Sequence, residues 1–131
     1  DTFGHAAGDA CLCEVAMRLR RAFHNAGLVA RIGGDEFALI LRAPVAPAQI
    51  ARVLQETAVM LCRPLFWNGL RLDIGASIGA ALVGRPHRRR IAELFAEADS
   101  ALYDAKAAGR NRVYLFNDER TSRTVGLEAI A

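Results

Sequence analysis

Two adjacent carboxylates, Asp35 and Glu36, directly follow the glycine pair Gly33-Gly34 in the stretch Arg31-Ile32-Gly33-Gly34-Asp35-Glu36-Phe37. Apolar runs flank that stretch, Leu28 to Ala30 on one side and Phe37 to Leu41 on the other, so it reads as the tip of a β-hairpin. Glycines there supply the positive φ that tight turns need and let backbone N–H groups come close to a ligand. Neighbouring carboxylates at such a turn suit a hard divalent cation such as magnesium. That ion prefers oxygen donors and is commonly held by one or two carboxylates plus substrate phosphates. The bland alternative is a plain polar turn. A second pair of candidates, Lys106 and Arg110, stands four residues apart. On one helix this spacing puts both cations on the same face near the C-terminal end, either reaching for phosphates or compensating the helix dipole.

The elements around these residues follow from periodicity. Leu12, Val15, Ala16, Leu19 and Phe23 recur at helical spacing, which predicts an amphipathic helix from Asp9, as N-cap, to about Asn25, closed by Gly27. The hairpin strands Leu28–Arg31 and Phe37–Leu41 come next, then a Pro-bearing loop over 42–46. A second helix opens at Pro47, with the stripe Ile50, Val53, Leu54, Thr57 and Leu61, and stops before Pro64. Asn68-Gly69 between apolar runs predicts a second hairpin with a type I′ turn, Leu65–Trp67 against a long arm from Leu70 to Val83. Gly75 and Gly79 in that arm signal a bulge or close backbone packing. After a polar loop at 84–90, Leu94, Phe95, Ala98, Leu102 and Ala105 predict a third helix from Ile91 to Ala108, closed by Gly109, and Val113–Phe116 a last strand. This order lacks regular β–α alternation and predicts an α+β sandwich with helices covering a largely antiparallel sheet.

Composition bounds the possibilities. The 131 residues are 53% apolar and 24% charged with a net charge of +3, enough for one globular core. Arginine is scattered apart from the run Arg88-Arg89-Arg90, so neither nucleic-acid nor membrane binding is indicated. Cys11, Cys13 and Cys62 have no metal-ligand spacing and read as buried or half-buried thiols of a reducing compartment. No apolar run could span a bilayer and no signal peptide is visible. The first residues look cut from a longer protein, so the expectation is a cytoplasmic domain excised from one.

Three separated blocks then converge. Asp1-Thr2-Phe3-Gly4-His5-Ala6-Ala7-Gly8-Asp9 resembles the segment N-D-x-x-G-H-x-x-G-D, and Arg31 to Phe37 reads R-x-G-G-D-E-F. Ser77-Ile78-Gly79 and the stretch from Ala98 to Asn111 resemble S-I-G and A-D-x-A-L-Y-x-A-K-x-x-G-R-N. Together they resemble the GGDEF family of diguanylate cyclases, a bacterial signalling family, over Asp1 to about Phe116. The resemblance implies a nucleotidyl cyclase-like, ferredoxin-like sandwich over 1–116, with 117–131 a tail or linker. It implies condensation of two GTP into cyclic di-GMP with release of pyrophosphate, magnesium or manganese as cofactor, and a homodimer for catalysis. Asp35 and Glu36 are then catalytic residues, Glu36 as a metal ligand and Asp35 as a metal ligand or as the base that takes the ribose 3′-hydroxyl proton. Gly33 and Gly34 lie against phosphate and ribose, Asp9 accepts from the guanine N1–H and 2-amino group, and Lys106 and Arg110 contact the triphosphate. His5 has a structural role in the loop before the first helix, and Asp99 and Tyr103 serve packing and capping.

Departures from the pattern qualify the expectation. The family's first strand, with a further magnesium-ligating Asp and a guanine-reading Asn, lies upstream of Asp1, so this fragment alone is expected to lack half its metal site. Where the family carries the product-inhibition motif R-x-x-D, this chain has His24-Asn25-Ala26-Gly27, so feedback through that site is not expected. Glu119-Arg120 and Leu127 to Ile130 could begin a linker helix, in this family often to an EAL-type phosphodiesterase domain. Two other readings stand beside the cyclase: a non-catalytic GTP-binding module that regulates such a phosphodiesterase, and a dimerisation scaffold.

Overall fold

The computed structural model describes residues 3–41, 47–82, 90–116 and 123–124. The loops expected at 42–46 and 84–89, two of the three arginines of the basic run, Val83, and most of the 117–131 tail lie outside those residues. The chain divides into two compact units, Asp1–Pro47 with Arg63–Ile74, and Ala48–Cys62 with Gly75–Ala131.

In the first unit, helix α1 (Gly4–Phe23) is followed by strands β1 (Gly27–Gly33) and β2 (Glu36–Leu41), an antiparallel hairpin. The helix starts five residues before the expected cap. Ala6, Ala7 and Ala10 favour the helix strongly enough to carry it across Gly8. At the other end, Gly27 meets the backbone of Ile40 so closely that an added Cβ would overlap the Ile40 carbonyl oxygen. The second hairpin, β3 (Leu65–Trp67) and β4 (Leu70–Leu72), is antiparallel with Trp67 opposite Leu70. Asn68 and Gly69 both have positive φ, 49° and 76°, which is the I′ pattern read from the sequence. Arg18 ties α1 to the approach of β3. Its Nε donates to Glu14 Oε1 at 2.7 Å, and its Nη1 and Nη2 donate to the carbonyls of Arg63 and Pro64 at 2.6 and 3.3 Å.

The second unit contains α2 (Pro47–Leu61) from Ala48 onward, with Thr57, Ala58 and Leu61 buried. The expected long arm to Val83 does not form. After Leu72 the chain leaves the hairpin, and β5 (Ile78–Ala80) pairs in parallel with β6 (Val113–Leu115) in a different sheet. Helix α3 (Ile91–Ala107) connects the two, so this is a strand–helix–strand crossover, the connection a parallel pair requires. A short strand β7 (Arg123–Thr124) pairs antiparallel with β6. Gly79 explains how closely α3 packs on β5: a Cβ there would overlap the backbone of Ala98 and Leu102. Ala101 and Ala105 are fully buried on that helix. The described strands form sheets of two, two and three strands with antiparallel pairings predominating, so the fold class is α+β as read from the sequence.

Candidate active site

The acidic tip is a two-residue turn. Gly33 pairs with Glu36, leaving Gly34 and Asp35 as the loop, and the register slips by one residue between Arg31 and Gly33. Of the glycine pair only Gly34 has positive φ, at 51°, whereas the sequence suggests both. A positive φ at the first loop position alone matches a II′ turn. The extra residue is Ile32, half exposed, and the slip makes it a β-bulge of the kind that re-aims neighbouring side chains. Arg31 closes the structure by folding back on its own turn, with Nε and Nη2 donating to the Gly34 carbonyl at 2.9 and 2.7 Å. Asp35 and Glu36 are both exposed at this tip. The sequence singles out Arg31 only as part of a motif; the fork onto Gly34 is the role it did not reveal.

The hairpin face opposite α1 lines a cleft of about 430 Å³. Asp9, Cys13 and Arg20 contribute from the helix, and Val29, Arg31 and Phe37 from the strands. Positions 9, 13, 16 and 20 share one helical face, which is why one carboxylate and one guanidinium bracket an apolar middle. Asp9 therefore corrects the sequence reading in one respect. It lies inside α1, the N-cap is Phe3, and no side chain caps that end. His5 likewise stands on the first turn of the helix, exposed, and not in a preceding loop. Cys13 is exposed on the cleft wall, while Cys11 and Cys62 are half-buried; all three are free thiols.

Lys106 and Arg110 belong to the second unit, and there the same-face expectation fails. Helix α3 ends at Ala107, so Lys106 is in its last turn and Arg110 lies beyond it. The chain turns through Gly109, Arg110 and Asn111, all with positive φ. Arg110 N–H donates to the Ala105 carbonyl at 3.1 Å, closing the helix. Asp99 and Tyr103 neither cap nor pack α3: both are mid-helix and exposed, Tyr103 at 73%.

Among the described residues no group of three or more His, Cys, Asp or Glu side chains stands together. The donors at the tip are two carboxylates. That set does not fit a closed zinc-type cage, and it does fit a hard cation that takes its remaining oxygens from a nucleotide.

Residues 1–112 match the family described as diguanylate cyclase, GGDEF domain. The chain is 37% identical over 123 residues to diguanylate cyclase TpbB of Pseudomonas aeruginosa, covering 92% of this chain and 28% of that protein. It is 38% identical over 116 residues to the bifunctional diguanylate cyclase/cyclic di-GMP phosphodiesterase MucR of the same organism, covering 88% of this chain and 17% of MucR. A solved structure of the TpbB GGDEF domain superimposes with a TM-score of 0.81 at 36% identity, covering 89% of this chain and 68% of that one. The GGDEF domain of DgcB from Caulobacter crescentus, solved in complex with c-di-GMP, gives 0.72 at 34% identity, covering 88% and 66%.

Proposed function

Since the chain belongs to the GGDEF family of diguanylate cyclase domains, we propose that within its full natural protein it condenses two GTP molecules into cyclic di-GMP. The observation that carries this reading is the intact acidic tip, Asp35 and Glu36 on a turn clamped by Arg31, in the same compact unit as the Asp9 cleft.

Asp35 and Glu36 would hold magnesium or manganese. Such a cation, when bound, eases ionisation of a ribose 3′-hydroxyl and neutralises charge on the phosphates. Asp35 takes the 3′-hydroxyl proton. The oxygen so freed attacks the α-phosphorus of a second GTP, its bond to the β-phosphate oxygen breaks, and pyrophosphate leaves. Repeating the exchange in the opposite sense closes the ring. Asp9 accepts from the guanine N1–H and 2-amino group, an edge that adenine lacks. Gly33 and Gly34 allow backbone approach to ribose and phosphate, and Lys106 and Arg110 carry the charge that meets the triphosphate. Each chain offers one half-site, so the working form is a homodimer, and GTP as substrate puts the reaction in the cytoplasm. His24 and Gly27 lack the groups of the family's product-inhibition motif, so the reaction runs without feedback there.

A second reading is favoured by the small acidic set at the tip, among the described residues, and takes from the double name of MucR only that such a domain can be joined to a phosphodiesterase. In it the domain binds GTP without turnover and regulates an attached phosphodiesterase domain. The full natural protein, incubated with GTP and magnesium, decides between them by pyrophosphate release and chromatography of the nucleotides. Cyclic di-GMP is the expected product. Retained GTP without product favours the regulatory reading, and neither binding nor product rejects both.

A further inference from the structure

Helix α3 ends on an uncommon arrangement. A single left-handed residue closes many helices, but here three follow in succession: Gly109 (φ 114°), Arg110 (φ 61°) and Asn111 (φ 48°). Glycine adopts this conformation freely and asparagine tolerates it, whereas arginine gains nothing locally from it. A residue held in a sparsely populated region persists only when its surroundings over-determine it, and such residues concentrate at functional sites.

The surroundings here are specific. Asn111 N–H donates to Ser77 Oγ at 3.1 Å, across 34 residues of sequence. Ser77 immediately precedes β5, and Ile78 N–H donates to the Arg112 carbonyl at 2.9 Å, so the hydroxyl is fixed where the parallel ladder begins. The Asn111 side chain lies over Gly75, and a Cβ at position 75 would overlap its Oδ1. Arg112 Nε donates to the Arg110 carbonyl at 3.0 Å. Had α3 simply continued, Arg110 would stand one turn above Lys106 on the same face, where like charges repel. The left-handed run takes the Arg110 backbone off the helical path, and so off the face that Lys106 occupies.

We propose that Ser77, together with Asn111 and Gly75, is a positioning residue that locks the turn after α3 and thereby aims the Arg110 guanidinium at the nucleotide phosphates. This rests on reading Arg110 as a triphosphate contact. It assigns a task to the S-I-G serine and the terminal asparagine, which the chemistry itself leaves unused.

A double-mutant cycle in the full natural protein tests it, with binding of guanosine 5′-[α,β-methylene]triphosphate plus magnesium measured by calorimetry. Ser77→Ala is expected to weaken binding roughly three- to tenfold, the worth of one hydrogen bond. In the Arg110→Ala background the same change is expected to cost less than about twofold, the ordinary scatter of independent sites. Ser77→Thr, which keeps the hydroxyl, recovers affinity. Equal losses in both backgrounds would overturn the inference and leave Arg110 a phosphate contact. No loss on Arg110→Ala alone would overturn the Arg110 reading and the inference with it. Should Ser77→Ala fail to fold, Asn111→Gly and Asn111→Val carry the test. Glycine accepts the φ of 48° and valine resists it, so affinity falls for Val relative to Gly, and only while Arg110 is present.

Discussion

Gly33 and Gly34 are adjacent and chemically identical, yet alanine at the two positions should have opposite physical consequences. An added Cβ meets nothing within 4 Å at either position, so packing does not separate them. Backbone conformation does: Gly34 has φ of 51°, and Gly33 is a strand residue paired with Glu36. Alanine at 34 must adopt a left-handed conformation at a cost of about 1–2 kcal/mol. At 33 it sits in ordinary extended backbone and narrows the unfolded ensemble, a gain of about 0.4–1 kcal/mol. The two variants should therefore differ by about 2 kcal/mol in stability, a separation of about 1 M in urea midpoint for a slope near 2 kcal/mol/M. Unfolding followed by circular dichroism reads that difference, and pyrophosphate release with GTP and magnesium reads turnover. If backbone approach to the nucleotide is what Gly33 provides, Gly33→Ala keeps its stability and loses at least about tenfold in turnover, roughly 1.4 kcal/mol of transition-state stabilisation. A Gly33→Ala protein as unstable as Gly34→Ala refutes the conformational argument. A stable and fully active one refutes the close-approach argument.

Four further outcomes are expected. Glu36→Gln should abolish turnover while the protein remains folded by circular dichroism, because it removes a metal-binding charge; retained activity would remove Glu36 from the metal site. Asp9→Asn should raise KM for GTP and narrow the preference over ATP by about 10- to 100-fold, the range for losing a hydrogen bond to a charged group, and an unaltered preference in competition assays would show that the Asp9 carboxylate does not read the base. Gly27→Asp, which restores the acidic end of the product-inhibition motif, should cost about 1–3 kcal/mol through overlap with the Ile40 carbonyl. Titration with cyclic di-GMP should reveal no inhibition in that variant, and inhibition without lost stability would count against the steric account. Specific activity should fall on dilution as the dimer dissociates; activity strictly linear in protein concentration would argue against a two-chain site.

The parts of this fold that depend on local chemistry were readable in the sequence. Asn68-Gly69 gives the I′ turn because both residues accept positive φ, and Gly109 closes α3 for the same reason. The acidic tip is a hairpin because apolar runs flank a glycine turn. What escaped depends on competition or distance. Gly8 and Asp9 look like a helix start, and only the alanines on either side carry α1 through them. Gly75 to Val83 looks like a continuing hairpin arm, because a three-residue strand that finds its parallel partner 35 residues later leaves no periodic signal. Lys106 and Arg110 look like same-face neighbours by spacing, and nothing in an arginine announces a left-handed backbone; the Ser77 hydroxyl that accepts from the next residue, Asn111, lies 34 positions earlier. The Arg31 fork is invisible for a similar reason: the acceptor is a backbone carbonyl, which every residue has.

The absence of a side chain at Gly79 has a mechanical meaning as well. At Gly79 the backbone of α3 rests directly against β5, with no side chain between them at that point, while Ile78 and Ala80 on either side point to the other face of the strand. Any side chain at position 79 would therefore have to lift α3 off the strand at Ala98 and Leu102, so a single residue sets the spacing between this helix and its sheet.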